Sequence, residues 1–226
     1  MFGFPLSLLP GFSLLLILVG GQALAAQCPP PAMPLSLKVS TLATAMAPPS
    51  VENTRSKAEI TALSGRSPMA GGPVTLGLTR STTEVQITPS VWDVDLGDGR
   101  HCVGLTRVDA TWRIAVLSVD ISAEYAPGTC HYRVVREHEE EHVTIARAVF
   151  QAWAPRMEAA LHQSAERIAP EVSGGGGKAF AKQVIDRIMA DLQPMMAAYR
   201  ADLVSRNAAI DTPASYRATG ARCRNW

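Results

Sequence analysis

The chain has 226 residues, 47% of them hydrophobic and 18% charged, and its 21 basic and 20 acidic side chains leave a formal net charge of +1. That is enough apolar material for one good core, so a globular chain that needs no partner to fold is expected. No basic block stands out, and nothing in the charge pattern points to nucleic acid or another polyanion.

No charged side chain precedes Lys38, and residues 6–19 (LSLLPGFSLLLILV) form an apolar run that ends at Gly20-Gly21. Ala23-Leu24-Ala25 then supplies the small-x-small pattern read by signal peptidase. Residues 1–26 are therefore expected to be a signal peptide, giving a secreted or periplasmic protein that begins near Gln27. The competing reading is a retained single-span anchor, since the uncharged run is long enough to cross a bilayer. Cys28, Cys102, Cys130 and Cys223 are an even number for an oxidising compartment, with three connectivities open. The preferred pairing joins Cys102 to Cys130, tying a strand to the start of a helix, and Cys28 to Cys223, joining the termini.

Residues 27–73 are rich in Pro, Ser and Ala and read as a linker or arm with a short strand near Leu35 to Leu42. The domain proper is expected over 74–226. Within it, 74–125 contains the β-branched runs VTLGLT, TEVQIT, CVGLTRV and WRIAVLSVDISAEY, punctuated by Gly, Asp and Pro. In the last of these, Ala115, Leu117, Val119 and Ile121 alternate with Ser118 and Asp120, the period of a strand with one covered face. A small, mostly antiparallel sheet is the expectation.

From Cys130 the period becomes helical: His131, Val135, His138, His142, Ile145 and Val149 form one stripe expected to face the core. This helix should kink at Pro155 and run to about Ala169. A turn at Pro170 and Gly174–Gly177 leads into a second long helix marked by Phe180, Val184, Ile188, Leu192, Tyr199 and Leu203. The short connection makes 130–211 an antiparallel helical hairpin, followed by a C-terminal segment, 212–226. The predicted fold class is α+β, the small sheet packed on the long hairpin.

The stretch REHEEEHV (136–143) carries the spacing His138-Glu139-x-x-His142. Residues four apart on a helix project the same way, so two imidazoles can reach one ion while Glu139 stands beside them as general base. Zinc lowers the pKa of a bound water toward neutrality, which makes hydrolysis the chemistry this trio suits. Glu140 and Glu141 fill positions that zincins usually leave uncharged. About 100° per residue points Glu140 nearly opposite the histidines, and only Glu141 lies close to their flank. The bland alternative is a solvated acidic helix face with two incidental histidines.

The run EYAPGTCHYRVVREHEEEHVTIA, supported more weakly by IDTPASYRATGARCRNW, resembles secreted bacterial proteins described as predicted zinc-dependent proteases, in which a strand and a Cys-containing turn lead into an HExxH helix. The resemblance implies a zincin-like domain in which His138 and His142 bind the metal and Glu139 is the base.

A catalytic zinc ordinarily has three protein ligands, and the third is not marked by a motif here. Glu158, His162, Glu166, Asp202 and Asp211 are candidates. His131 lies about 10 Å along the helix from His138, too far to share an ion. Folding the hairpin about residues 173–176 sets residues near 142 opposite residues near 207, which favours Asp211. Asp211-Thr212-Pro213 also reads as a helix N-cap followed by Pro. Tyr216 could stabilise an oxyanion or simply pack against the hairpin. The expectation is an exported zinc peptidase acting on a peptide or protein substrate, which an exposed sheet edge could align. The alternative is a non-catalytic periplasmic or envelope helical-hairpin interaction protein with a structural or vestigial metal site.

Overall fold

The computed structural model describes residues 28, 36–41, 48–65 and 74–226; the expected signal peptide, 1–26, lies outside them. In chain order the elements are β1 (Ser36–Thr41), β2 (Ser50–Glu52), α1 (Lys57–Leu63), β3 (Gly77–Gly97), β4 (Arg100–Ile121), α2 (Cys130–Glu166), β5 (Glu171–Ser173), α3 (Gly176–Ile210) and α4 (Pro213–Gly220). Among the described residues no helix is long and apolar enough to cross a membrane.

The separate β-branched runs merge into one long hairpin. β3 pairs antiparallel with β4 from Gly77↔Ile121 to Gly97↔Arg100, with register shifts at Thr82/Thr83, Ser90/Val91 and Asp95/Gly97. Its turn uses positive φ at Gly97 (82°), Asp98 (53°) and Gly99 (70°), conformations that glycine and aspartate tolerate best.

The expectation of a small, mostly antiparallel sheet is overturned. The sheet has five strands in mixed directions, and β1 and β2 both lie parallel to β4. β5 is also added, antiparallel to the first part of β4. The described parts of the Pro-rich stretch 27–73 thus supply two strands and a helix. β1 falls where the sequence predicts a short strand, near Leu35 to Leu42, whereas β2 is a three-residue segment formed because its neighbour provides the hydrogen-bond ladder, which local composition does not reveal. Arg55, between β2 and α1, pairs with the buried carboxylate of Asp120, which Arg80 also reaches at 2.9 Å. The Asn53 amide donates to the carbonyls of Ile121, Ser122 and Tyr125 at 3.1, 2.9 and 3.3 Å. These contacts hold the exit from β4 just before α2 begins.

The helices form a hairpin on one face of the sheet. Val108, Ala110 and Trp112 of β4 share a buried cluster with Phe150, Met157 and Leu161 of α2 and with Phe180, Val184, Ile188, Leu192 and Tyr199 of α3. A smaller cluster of Val119, Ile121, Tyr125, Val135 and Val143 supports the first turns of α2. Pro155 and Pro194 are both carried inside helices.

The preferred cysteine pairing is also corrected: the bridges are Cys28–Cys102 and Cys130–Cys223. Cys102 opens β4 and Cys130 follows its far end, so on the order of 60 Å of strand contour separates them. The segment after α4 instead returns to the first turn of α2. There the His131 ring stacks on Tyr125 (5.2 Å) and meets Trp226 edge-on (4.8 Å).

Candidate metal centre

The early part of α2 has two covered sides rather than one. Val135, Glu139, Val143 and Ala146 are buried toward the sheet, while His138 and His142 project toward α3. This shifts the core-facing stripe by one residue from the sequence expectation. The two histidines are not core residues; their side chains are 13% and 11% exposed and are satisfied by polar groups of the second helix.

Asp211, which caps the C-terminus of α3, brings one oxygen to both rings. His138 Nε2 lies 3.1 Å and His142 Nε2 3.2 Å from Asp211 Oδ1. The potential ligand atoms of His138, His142 and Asp211 lie within 4.8 Å of one another, and this group could hold a metal ion. A tetrahedral ion with bonds of about 2.0–2.1 Å sets its ligands roughly 3.3 Å apart, which is close to both N···O separations. Two imidazoles and one carboxylate are also the kind of donor set a borderline divalent cation takes.

Asp211 is not a helix N-cap. That role falls to Thr212, whose hydroxyl accepts from Ser215 N–H, leaving the Asp211 carboxylate free to face α2. Tyr216, on α4, donates its hydroxyl to the same Oδ1 at 2.8 Å. Burial opposes the charge on Asp211, yet the Tyr216 hydroxyl and the imidazoles of His142 and His138 together hold its carboxyl below the usual range.

Glu139 faces the opposite flank, toward β3, and is 4% exposed. Thr79 donates its hydroxyl to Glu139 Oε2 at 2.8 Å and lies 3.0 Å from the Glu139 carbonyl. Burial raises the carboxyl above the ordinary carboxylate range, against the Thr79 hydroxyl and the nearby histidines, which lower it. Gly77 permits this fit, because a Cβ there would stand 2.7 Å from both Glu139 Oε1 and Val135 Cγ1.

The other candidates go elsewhere. Asp202 accepts from Trp153 Nε1 and pairs with Arg206. Glu140 pairs with Arg136, and Glu137 with Arg222. Glu141 is exposed and lines a shallow groove of about 370 Å³ with Glu137, Glu140, Thr144, Ile145 and Ile210. Sequence reasoning missed Thr79, Gly77 and Asn207, whose Oδ1 lies 2.9 Å from His142 Nδ1. Asn207 had one available signal: it stands four residues before Asp211, mirroring the spacing of His138 and His142. No protein-family model matches this chain, and neither does any curated protein or solved structure.

Proposed function

We propose that the protein is an exported zinc-dependent peptidase, with His138, His142 and Asp211 holding one zinc ion and Glu139 acting as general base. The convergence of two imidazole nitrogens on a single carboxylate oxygen carries this reading. The zincin-like resemblance of the sequence around His138 points the same way, and the two disulfides are compatible with an oxidising compartment. When bound, zinc supplies Lewis acidity and lowers the pKa of water toward neutrality. Glu139 takes the proton of the attacking water and delivers it to the leaving amine. Thr79 donates its hydroxyl to Glu139 Oε2 and holds the carboxylate in one orientation. Tyr216 donates its hydroxyl to Asp211 Oδ1 and so orients the carboxylate that would hold the ion. The side of β3 away from β4 pairs with no strand among the described residues, and an extended peptide adds there as a further strand.

The burial of Glu139 favours a second reading, a non-catalytic envelope protein whose metal site ties the hairpin together. One experiment separates the two. Elemental analysis after exhaustive dialysis should find about one zinc per chain in the wild type and in Glu139→Gln, as expected where the base is not a ligand. Only the wild type should hydrolyse a peptide library. Equal zinc with no hydrolysis by either protein selects the structural site, and absence of bound zinc rejects both.

A further inference from the structure

We propose that Asn207 is a positioning residue for the metal centre: its side-chain carbonyl holds His142 in the Nδ1–H form, so that Nε2 offers a lone pair to a divalent cation. This rests on the metal-binding reading above. A neutral imidazole carries one N–H, and the ring nitrogen that donates it fixes the other as the acceptor or ligand atom. His142 Nδ1 faces Asn207 Oδ1 at 2.9 Å, and an amide oxygen can only accept. Both ring nitrogens thus face acceptor oxygens, and with Nδ1–H held on Asn207, Nε2, 3.2 Å from Asp211 Oδ1, is the nitrogen that would turn its lone pair to an ion. Turning the Asn207 amide over would put an N–H donor against Nδ1 and move the ring proton to Nε2. His142 would then donate to Asp211 and have no lone pair for an ion.

The backbone makes this selection reliable. Asn207 and Asp211 are one turn apart at the end of α3, with Asp211 N–H bonded to the Asn207 carbonyl at 3.2 Å. One helical turn thus grips both nitrogens of one ring, and ligating histidines generally depend on such an outer partner.

Chelator-stripped full-length protein titrated with Co2+ and with Zn2+, against a chromophoric competitor, tests the proposal. Asn207→Ala and Asn207→Leu, which lack an acceptor, should weaken binding roughly 10–100-fold. Asn207→Asp, a pure acceptor of the same shape, should restore wild-type affinity and the tetrahedral Co2+ visible spectrum. Nitrogen-15 NMR of the zinc-loaded wild type should show His142 protonated at Nδ1, an observation that stands even if a variant fails to fold. Unchanged affinity in Asn207→Ala, or a proton on Nε2 in the loaded wild type, overturns the role of Asn207 and leaves the metal site intact. A wild type that binds neither ion overturns the site and this inference together.

Discussion

Toward its connection, the α2–α3 hairpin places Met157, Leu161 and Ala165 in one buried cluster with Phe180, Val184 and Ile188. At its other end, the same two helices face each other through His138, His142, Asn207 and Asp211. Shape suffices at the first end, because apolar contacts are non-directional and tolerate any well-packed set of side chains. The second end needs specific partners, because each half-buried polar atom costs free energy unless it is paired. Stability should therefore reside mainly at the dry end and ligand binding at the polar end.

Phe150→Ala should give the largest effect on stability. Phe150 is fully buried with its ring centroid 4.2 Å from that of Trp112, and the truncation should cost about 3–5 kcal/mol. Urea unfolding of the apo protein should show this loss, while Zn2+ affinity, measured where the variant is folded, stays at the wild-type value. Mutation at the polar end should do the reverse. At a free metal concentration about 100-fold above Kd, the wild type should gain about 2.7 kcal/mol. His138→Ala, His142→Ala and Asp211→Ala should lose most of that gain in calorimetric melts with and without Zn2+.

Gly77→Ala probes the sheet-facing flank of the polar end. The added methyl must displace Glu139 or Val135, at a cost of about 1–3 kcal/mol. Metal binding should persist, and any hydrolytic activity should fall as Glu139 leaves Thr79; unchanged activity would argue that Glu139 does no proton transfer.

The smallest effect is expected at Asp191, which accepts from Ser164 at 2.6 Å and Arg167 at 2.9 Å near the dry end. The Ser164 hydroxyl, then the Arg167 guanidinium, lower its carboxyl below the ordinary value. A depressed folded-state pKa contributes stability that is full above the unfolded value of about 4 and is lost as pH falls through the folded value. Asp191→Asn should therefore flatten the acid limb of the melting temperature below the unfolded value of about 4. Zn2+ affinity at neutral pH should not change.

The helical hairpin was readable because the spacing of Val149, Phe180, Val184, Ile188 and Leu192 reports burial over many turns. The pairing of residues near 142 with residues near 207 followed from hairpin geometry, and His142 does meet Asn207. The face of α2 on which Glu139 sits was harder to read, since a helix covered by a sheet and by another helix has no single stripe. The mixed sheet was harder still: β1 and β2 find their register on β4 through backbone hydrogen bonds, which every sequence can make.

By itself the sequence determined what is local and periodic: two long helices, a β-rich segment before them, and two histidines one turn apart with a carboxylate between them. Tertiary structure alone decided which oxygen those histidines share, which cysteines join, and which strands lie parallel. Those outcomes depend on contacts between residues 65 to 93 positions apart, and no short-range pattern in a chain encodes which distant partner will arrive.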